Sequence, residues 1–345
     1  MPAARPLDAL LISDSKPGHY HQAEGVLAAI AKIRPVNTHR LEVRRRRVIP
    51  SRMLQQLINT GTSPATILRL GYGIRARALP PMGIVVSAGG ETLAANAAAA
   101  KLFGVPNVFC GRLRRLAPDH VRLVIVQLER FATHPNFLVV LPPSPMDPAR
   151  PAPSKAQRAR TGPPDLVGVL VGGNSGALTF TGEDWNRLTG FLREAHAAYG
   201  VRWLVTTSRR SDAVIGDALV AAASDPASGI ERFIDYRTAG PGTLDDIFAA
   251  ADAILVTDDS TTMISEVVSA RLPVVAVTPS AGQHEDREAE YRSLLARRGW
   301  YRAVPLSQLT PEGFLAALAQ VTPRSGNALD ELAARLEQRL PEVFA

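Results

Sequence analysis

Twelve short apolar runs, six on each side of one proline-rich stretch, restrict this chain more than any other feature. The first six fall at residues 9–12, 40–43, 84–87, 107–110, 123–126 and 137–141. The second six fall at 166–171, 203–206, 232–235, 253–256, 274–277 and 301–304. Each is four to six residues long, and most of the intervening stretches carry helical patterns. That spacing predicts βα units around parallel sheets, an α/β fold class. The separating stretch, LPPSPMDPARPAPSKAQRARTGPP at 141–164, is rich in proline, has no apolar periodicity and contains two basic clusters, so it reads as a linker. With 345 residues, 46% of them apolar, the chain suits about two domains of ~150 residues each. The expected boundaries are 1–145, a linker at 146–164, 165–325, and a terminal helix at 326–345.

An internal echo supports two related halves. IVVSAGGETLAANAAAAKLFGVPNVFC at 84–110 and ILVTDDSTTMISEVVSARLPVVAV at 254–277 share a plan. In each, a strand meets a polar turn, a helix rich in Ala or Val follows, and x-Pro opens the next strand. Two Rossmann-like domains facing a cleft would produce this pattern. ALDELAARLEQRL at 328–340 has helical apolar spacing and could pack back on the first domain.

Charge is distributed unevenly. Residues 1–150 hold 20 Lys and Arg against 8 Asp and Glu, whereas the remainder holds 19 against 24. An anionic partner for the first half is one reading, and a solvated basic face is the other. The cluster 44–47 with Arg52, Arg69, Arg75, Arg77, Arg112, Arg114 and Arg115 supplies this charge around a partly amphipathic segment, MLQQLINTGTSPATILRLGYGI. That combination suggests an anionic membrane surface. Nucleic acid is not expected, because aromatic residues make up 6% and do not interleave with the arginines. No run reaches the ~18 apolar residues of a membrane span, and a cleaved signal peptide is not expected. The single cysteine, Cys110, excludes an internal disulfide or a cysteine-based zinc site, and fits cytoplasmic residence.

Four motifs could carry chemistry. In VGVLVGGNSGALTFTGEDW (167–185), a strand enters Gly172, Gly173, Asn174, Ser175 and Gly176, and Thr181 could open the next helix. Such a turn lets backbone N–H groups approach a phosphate, although it is neither a Walker loop nor a dinucleotide fingerprint. In LVTDDSTTMISEVV (255–268), Asp258 and Asp259 precede Ser260, Thr261 and Thr262, which can cap a helix whose positive end faces outward. No capping box forms, since Met263, Ile264 and Ser265 stand where an acid would be needed, so Glu266 calls for another explanation: it could accept bonds from ribose hydroxyls. A satisfied cap with solvated acids is the plain alternative. In SDSKPGHYHQAEGVLAAI (13–30), His19 follows Lys16, Pro17 and Gly18 at a strand end, placed to act as a general base, with His21 and Gln22 nearby. In SAGGETLAANAAAAKLFGVP (87–106), Gly89, Gly90, Glu91 and Thr92 open a helix and could line a cleft, or simply make a tight turn.

Together these motifs resemble the GT-B class of nucleotide-sugar glycosyltransferases, and within it the membrane-associated N-acetylglucosaminyltransferases of peptidoglycan synthesis. Gly18-His19 matches that family's Gly-His turn, with Pro17 in place of a glycine. Gly172, Gly173, Asn174, Ser175, Gly176 and Ala177 match its Gly-Gly-Ser-x-Gly-Ala loop. Ser265-Glu266 and Arg271-Leu272-Pro273 match its sugar-nucleotide helix, and the resemblance carries ribose contact to Glu266. Asp259-Ser260-Thr261 replace the glycine turn usual before that helix. Over nearly all of residues 8–340 the chain more specifically resembles bacterial relatives of the mitochondrial fission factor named for elongated mitochondria. The residues that carry this are Ser13-Asp14-x-Lys16-Pro17-Gly18-His19-x-x-Gln22, Gly172-Gly173, and Thr257-Asp258-Asp259-Ser260 followed by Met263-x-Ser265-Glu266.

The resemblance implies an inverting, metal-independent glycosyltransferase with a nucleoside-diphosphate sugar as donor substrate and no tightly bound cofactor. The acceptor would be anionic or lipid-linked, and the protein would be peripheral to a membrane. Two alternatives stand beside it: a nucleotide-sugar 2-epimerase, and a non-catalytic recruitment protein, the role of the plant member of the fission family.

Overall fold

The computed structural model describes residues 5–147, 162–176, 178–240, 242 and 244–345. Most of the proline-rich linker and Ala177 of the glycine loop lie outside the described residues. The chain forms two compact units, residues 1–145 with 328–345, and residues 146–327.

Unit 1 is built on six parallel strands: β1 (Leu7–Ser13), β2 (Val36–Glu42), β3 (Ile84–Ala88), β4 (Asn107–Cys110), β5 (Leu123–Val126) and β6 (Phe137–Val139). Their order is β2-β1-β3-β4-β5-β6, so chain direction across the sheet reverses between β1 and β3. Alternate residues of β1 enter two separate cores. Leu7, Ala9 and Leu11 pack on one face, and Leu10 and Ile12 on the other. Burial on both faces is why a parallel strand reads as a continuous apolar run rather than an alternating one.

One face is covered by α1 (Pro17–Ala31) together with the terminal helix Ala328–Arg339, whose Leu329, Leu332, Ala333 and Leu336 share a core with Ala23, Leu27 and Ile30. The terminal helix therefore packs back on the first unit, and Arg122 holds Glu342 just beyond it at 2.8 Å. The other face carries α2 (Ser51–Asn59), α3 (Pro64–Tyr72) and α4 (Leu93–Phe103). Every residue of α4 from Leu93 to Ala100 is buried, which its run of alanines permits because small side chains allow close approach on all sides.

Unit 2 repeats the plan with β7 (Leu166–Val171), β9 (Arg202–Thr207), β10 (Ile230–Ile234), β11 (Ala253–Thr257), β12 (Val274–Thr278) and β14 (Arg302–Pro305), all parallel. The order β10-β9-β7-β11-β12-β14 is the 3-2-1-4-5-6 arrangement of a Rossmann sheet, with its reversal between β7 and β11. Two short strands, β8 (Leu178–Thr179) and β13 (Ala281–Gly282), pair antiparallel beyond the sheet. On one face, the helix Gly182–Tyr199 packs Trp185 and Phe191 beside Trp203 and Phe314. Thr181 and Asp184 form a reciprocal capping box at its start, satisfying two backbone N–H groups that the helix cannot.

Candidate functional site

In open α/β sheets, ligands meet the carboxyl ends of the strands where the strand order reverses. The four sequence motifs occupy these positions two by two: 13–22 and 87–92 follow β1 and β3 in unit 1, and 172–176 and 258–266 follow β7 and β11 in unit 2.

In unit 1, β1 ends at the buried Ser13, whose Oγ accepts the Ser15 N–H at 3.0 Å. Ser15 takes a left-handed φ of 62°, which turns the chain sharply, and Pro17 then starts α1. That first turn carries His19 back over Asp14, and Nδ1 lies 2.8 Å from Asp14 Oδ2. The carboxylate is 4% exposed and the imidazole 34%. An ionised Asp14 makes Nδ1 the protonated nitrogen, so the lone pair on Nε2 faces away from the carboxylate. No hydrogen bond from the described residues reaches Nε2. The ring rests on Gly89, which is left-handed at φ 86°; a Cβ there would enter the imidazole.

The neighbouring candidates are spent differently. Gln22 donates to Gly18 O at 3.1 Å within α1, and Lys16 is exposed with its ammonium 3.8 Å from Asp14. Glu91 pairs with Arg45 at 2.9 Å, tying the basic segment to the start of α4. Thr92 Oγ1 contacts Ser87 Oγ at 3.0 Å and the Ala88 and Gly89 carbonyls at 2.9 Å each.

In unit 2, the Gly172 N–H donates to Thr257 Oγ1 at 2.6 Å, and that hydroxyl bonds Asp259 Oδ1 at 2.6 Å. The Asp259 carboxylate is fully buried, and a Cβ at Gly172 would fall inside it, so glycine is required by close approach. Gly173 has the same requirement against the Arg210 carbonyl, and Ser211 Oγ donates to the Val171 and Gly172 carbonyls. Arg210 lies 2.5 Å from Asp259 Oδ2, without the alignment of a hydrogen bond. Burial raises the Asp259 pKa, and the Arg210 charge and the Thr257 hydroxyl oppose that rise.

Asn174 Oδ1 accepts the Phe180 N–H at 2.8 Å and Ser175 Oγ accepts the Leu178 N–H at 3.2 Å, so both shape the loop; Gly176 is exposed. Ser260 Oγ accepts the Met263 N–H at 3.3 Å, capping the helix Thr261–Ser269. Thr261 Oγ1 accepts from Arg292 at 3.2 Å, and Thr262 is half-buried in the same first turn. Ser265 is buried, bonded to Thr261 O at 2.6 Å and to the Tyr291 hydroxyl at 2.9 Å, so its hydroxyl serves packing. Glu266 is buried one turn further in, at 6% exposure.

Asp258 has a different task. Its carboxylate accepts from His284 Nε2 at 2.7 Å, from Arg292 Nε at 2.7 Å and from the Tyr301 hydroxyl at 2.9 Å. A buried charge with three donors is a structural joint between β11, the helix Asp286–Arg297 and the start of β14. The hydrogen bond to Asp258, together with the Glu288 carboxylate 3.5 Å from Nδ1, raises the His284 pKa to about 8.

Sequence reasoning missed Asp14 as a partner of His19, Arg210 as a partner of Asp259, and the cluster around Asp258. One signal was present: His284, Glu288 and Arg292 recur at every fourth position, which places them on one helical face. Arg210 had none, since it lies 49 residues from Asp259. Among the described residues no group of three or more His, Cys, Asp or Glu is placed to hold a metal ion, and no helix is long and apolar enough to cross a membrane.

Solved structures with the same fold cover almost the whole chain. MurG of Acinetobacter baumannii is 15% identical with a TM-score of 0.51, covering 96% of this chain and 100% of its own. UDP-GlcNAc 2-epimerase of Methanocaldococcus jannaschii is 12% identical with a TM-score of 0.55, covering 97% of this chain and 100% of its own. In a structure of that epimerase in complex with UDP-GlcNAc and UDP, the identity is 12% and the TM-score 0.51, with 98% of this chain and 99% of that one covered. These likenesses establish a GT-B-like fold of two Rossmann-like units. No protein of curated function matches the chain by sequence. The profile of one family, described as mitochondrial fission ELM1, matches residues 17–340, which takes in all four motifs except Ser13 to Lys16. The chain belongs to the mitochondrial fission ELM1 family.

Proposed function

We propose that the protein is an inverting glycosyltransferase that uses a nucleoside-diphosphate sugar and an anionic or membrane-associated acceptor. The observation that carries this reading is the Asp14–His19 pair, a buried carboxylate holding an imidazole at the sheet end where α/β folds bind ligands. A recruitment surface has no use for an oriented imidazole with a free Nε2.

In this reaction His19 Nε2 takes the proton of the acceptor hydroxyl while that oxygen attacks the anomeric carbon. The new C–O bond forms as the bond to the diphosphate breaks, and the electron pair leaves on the phosphate oxygen. Charge grows on the leaving diphosphate, so donors aimed there stabilise the transition state more than the ground state. The Asn174 N–H of the glycine turn and the N-terminus of Thr261–Ser269 would supply them, with Arg210, already paired to Asp259, at the edge of the same turn. Glu266 would orient the ribose.

Calorimetric titration with uridine, guanosine and cytidine diphosphate sugars tests the proposal, and the absence of binding by all of them would sink it. With a binding donor in hand, Glu266→Ala should weaken affinity, and His19→Ala should abolish turnover while donor binding is kept.

A second reading has its own observation. Val48 is 86% exposed and Met53 49% exposed, beside the exposed Arg44, Arg46, Arg47 and Arg52. Exposed apolar groups within a basic segment suit an anionic membrane surface. Cosedimentation with vesicles rich in anionic lipid, compared between the wild type and a variant with Val48 and Met53 changed to Ser, measures that contribution separately from turnover.

A further inference from the structure

Gly89 and Gly90 each lie under a side chain from elsewhere in unit 1. The His19 imidazole covers Gly89, and the Arg114 guanidinium covers Gly90, where a Cβ would come within 2.9 Å of its Nη2 atom. Consecutive Cα atoms are about 3.8 Å apart, so the base and the cation cover adjacent residues of one turn.

The segment that carries Arg114 is anchored by its neighbours. The Arg115 N–H donates to Gln55 Oε1 at 3.1 Å, its carbonyl accepts from Asn59 at 2.8 Å, and the Ala117 N–H donates to Asn59 Oδ1 at 3.0 Å. Arg114 itself adopts a left-handed φ of 56° between these anchors.

The acids around this strand end are already matched. Asp14 holds His19 and lies near Lys16, Glu91 holds Arg45, and Glu42 accepts from Ser15 and pairs with Arg40. Arg114 is exposed and makes no ion pair with the described residues, so the positive charge over Gly90 has no counterion within the protein. The N-terminus of α4, which lacks a side-chain cap, adds positive potential at the same turn.

We infer that Arg114 and the Gly89–Gly90 turn form an oxyanion subsite for a phosphate group carried by the molecule whose hydroxyl reaches His19. The hydroxyl's role rests on the transferase reading, and the phosphate's place does not. The acceptor class is thereby narrowed to a phosphate ester with a hydroxyl a few bonds from the phosphorus. An Arg fork suits this group because its planar donors match two phosphate oxygens.

The test uses the full chain labelled with ¹⁵N-histidine, so that the His19 ring resonances report on the site. Inorganic phosphate and glycerol 3-phosphate are titrated into the wild type, Arg114→Gln and, as a control, Arg112→Gln. Vesicles of phosphatidylcholine with or without phosphatidate are assayed by cosedimentation with the same three proteins. The expected result is a saturable shift of the His19 signals in the wild type and the control, weakened roughly tenfold or more in Arg114→Gln. Loss of the response to glycerol 3-phosphate in Arg114→Gln assigns a free phosphate ester. Loss of phosphatidate-dependent sedimentation in that variant assigns a lipid headgroup. An unshifted His19 in the wild type with no phosphatidate-dependent sedimentation overturns the inference, as does an unchanged response in Arg114→Gln. Failure of the transferase reading would show instead as no donor-sugar binding, with the phosphate response intact.

Discussion

Asp14 Oδ2 lies 2.8 Å from His19 Nδ1, and the imidazole so held rests on Gly89 across the turn from the next strand. The pair fixes which ring nitrogen is basic and where it points. Replacing Asp14 by Asn keeps the shape but removes the charge that favours a protonated Nδ1. With a donor sugar that binds, kcat should fall by about 10² to 10⁴, the range of one well-placed acid–base group, while donor affinity stays within twofold. Equal losses in both would mean that Asp14 serves only the fold.

Gly89 offers a test of the same contact by stability alone. Gly89→Ala puts a methyl into the His19 ring at a φ of 86°, whereas Gly104→Ala, at φ 66°, meets nothing within 4 Å. Urea unfolding should show Gly104→Ala costing about 1 kcal/mol from the backbone conformation, and Gly89→Ala roughly 1–3 kcal/mol more. Similar losses in the two variants would show that the ring moves aside freely.

Asp258 is predicted to matter for folding rather than for ligands. Asp258→Ala leaves Arg292, 5% exposed, without its carboxylate. Removing one partner of a buried pair costs about 3–5 kcal/mol, so the urea midpoint should fall steeply. Asp258→Asn, which can still accept hydrogen bonds, should lose less.

His284 gives that joint a pH dependence. Its folded pKa is about 8 against 6.5 for the ordinary imidazole, so the folded state holds the proton more tightly. The resulting stabilisation is complete below about pH 6.5 and is lost as pH rises through about 8. The charged groups facing the ring are Asp258, Glu288 and Arg292. Thermal unfolding between pH 6 and 9 should show Tm falling across that window in the wild type and a flatter course in His284→Gln.

Most strands were legible from their apolar runs, and the exceptions have physical reasons. The run at 107–110 coincides with β4, and that at 166–171 with β7, because strands buried on both faces must be continuously apolar. β2 begins at Val36, four residues before the expected run, because it is an edge strand with a largely exposed, polar sequence. β8 and β13, two residues each, are too short to leave a pattern.

The positions of the four motifs at strand ends followed from the same alternation, since each polar turn comes directly after an apolar run. Their pairing did not. Strand order decides which turns become neighbours, and that order depends on which helices cover which face of each sheet, a matter of long-range packing. Sequence alone placed His19 in a strand-end turn and Asp258 and Asp259 ahead of a helix. Only the tertiary structure gave His19 its seat on Gly89, put Arg114 over Gly90, and separated the two adjacent acids. Successive residues leaving a strand point in different directions. Asp258 therefore turns toward His284, Arg292 and Tyr301, while Asp259 turns toward Gly172 and Arg210.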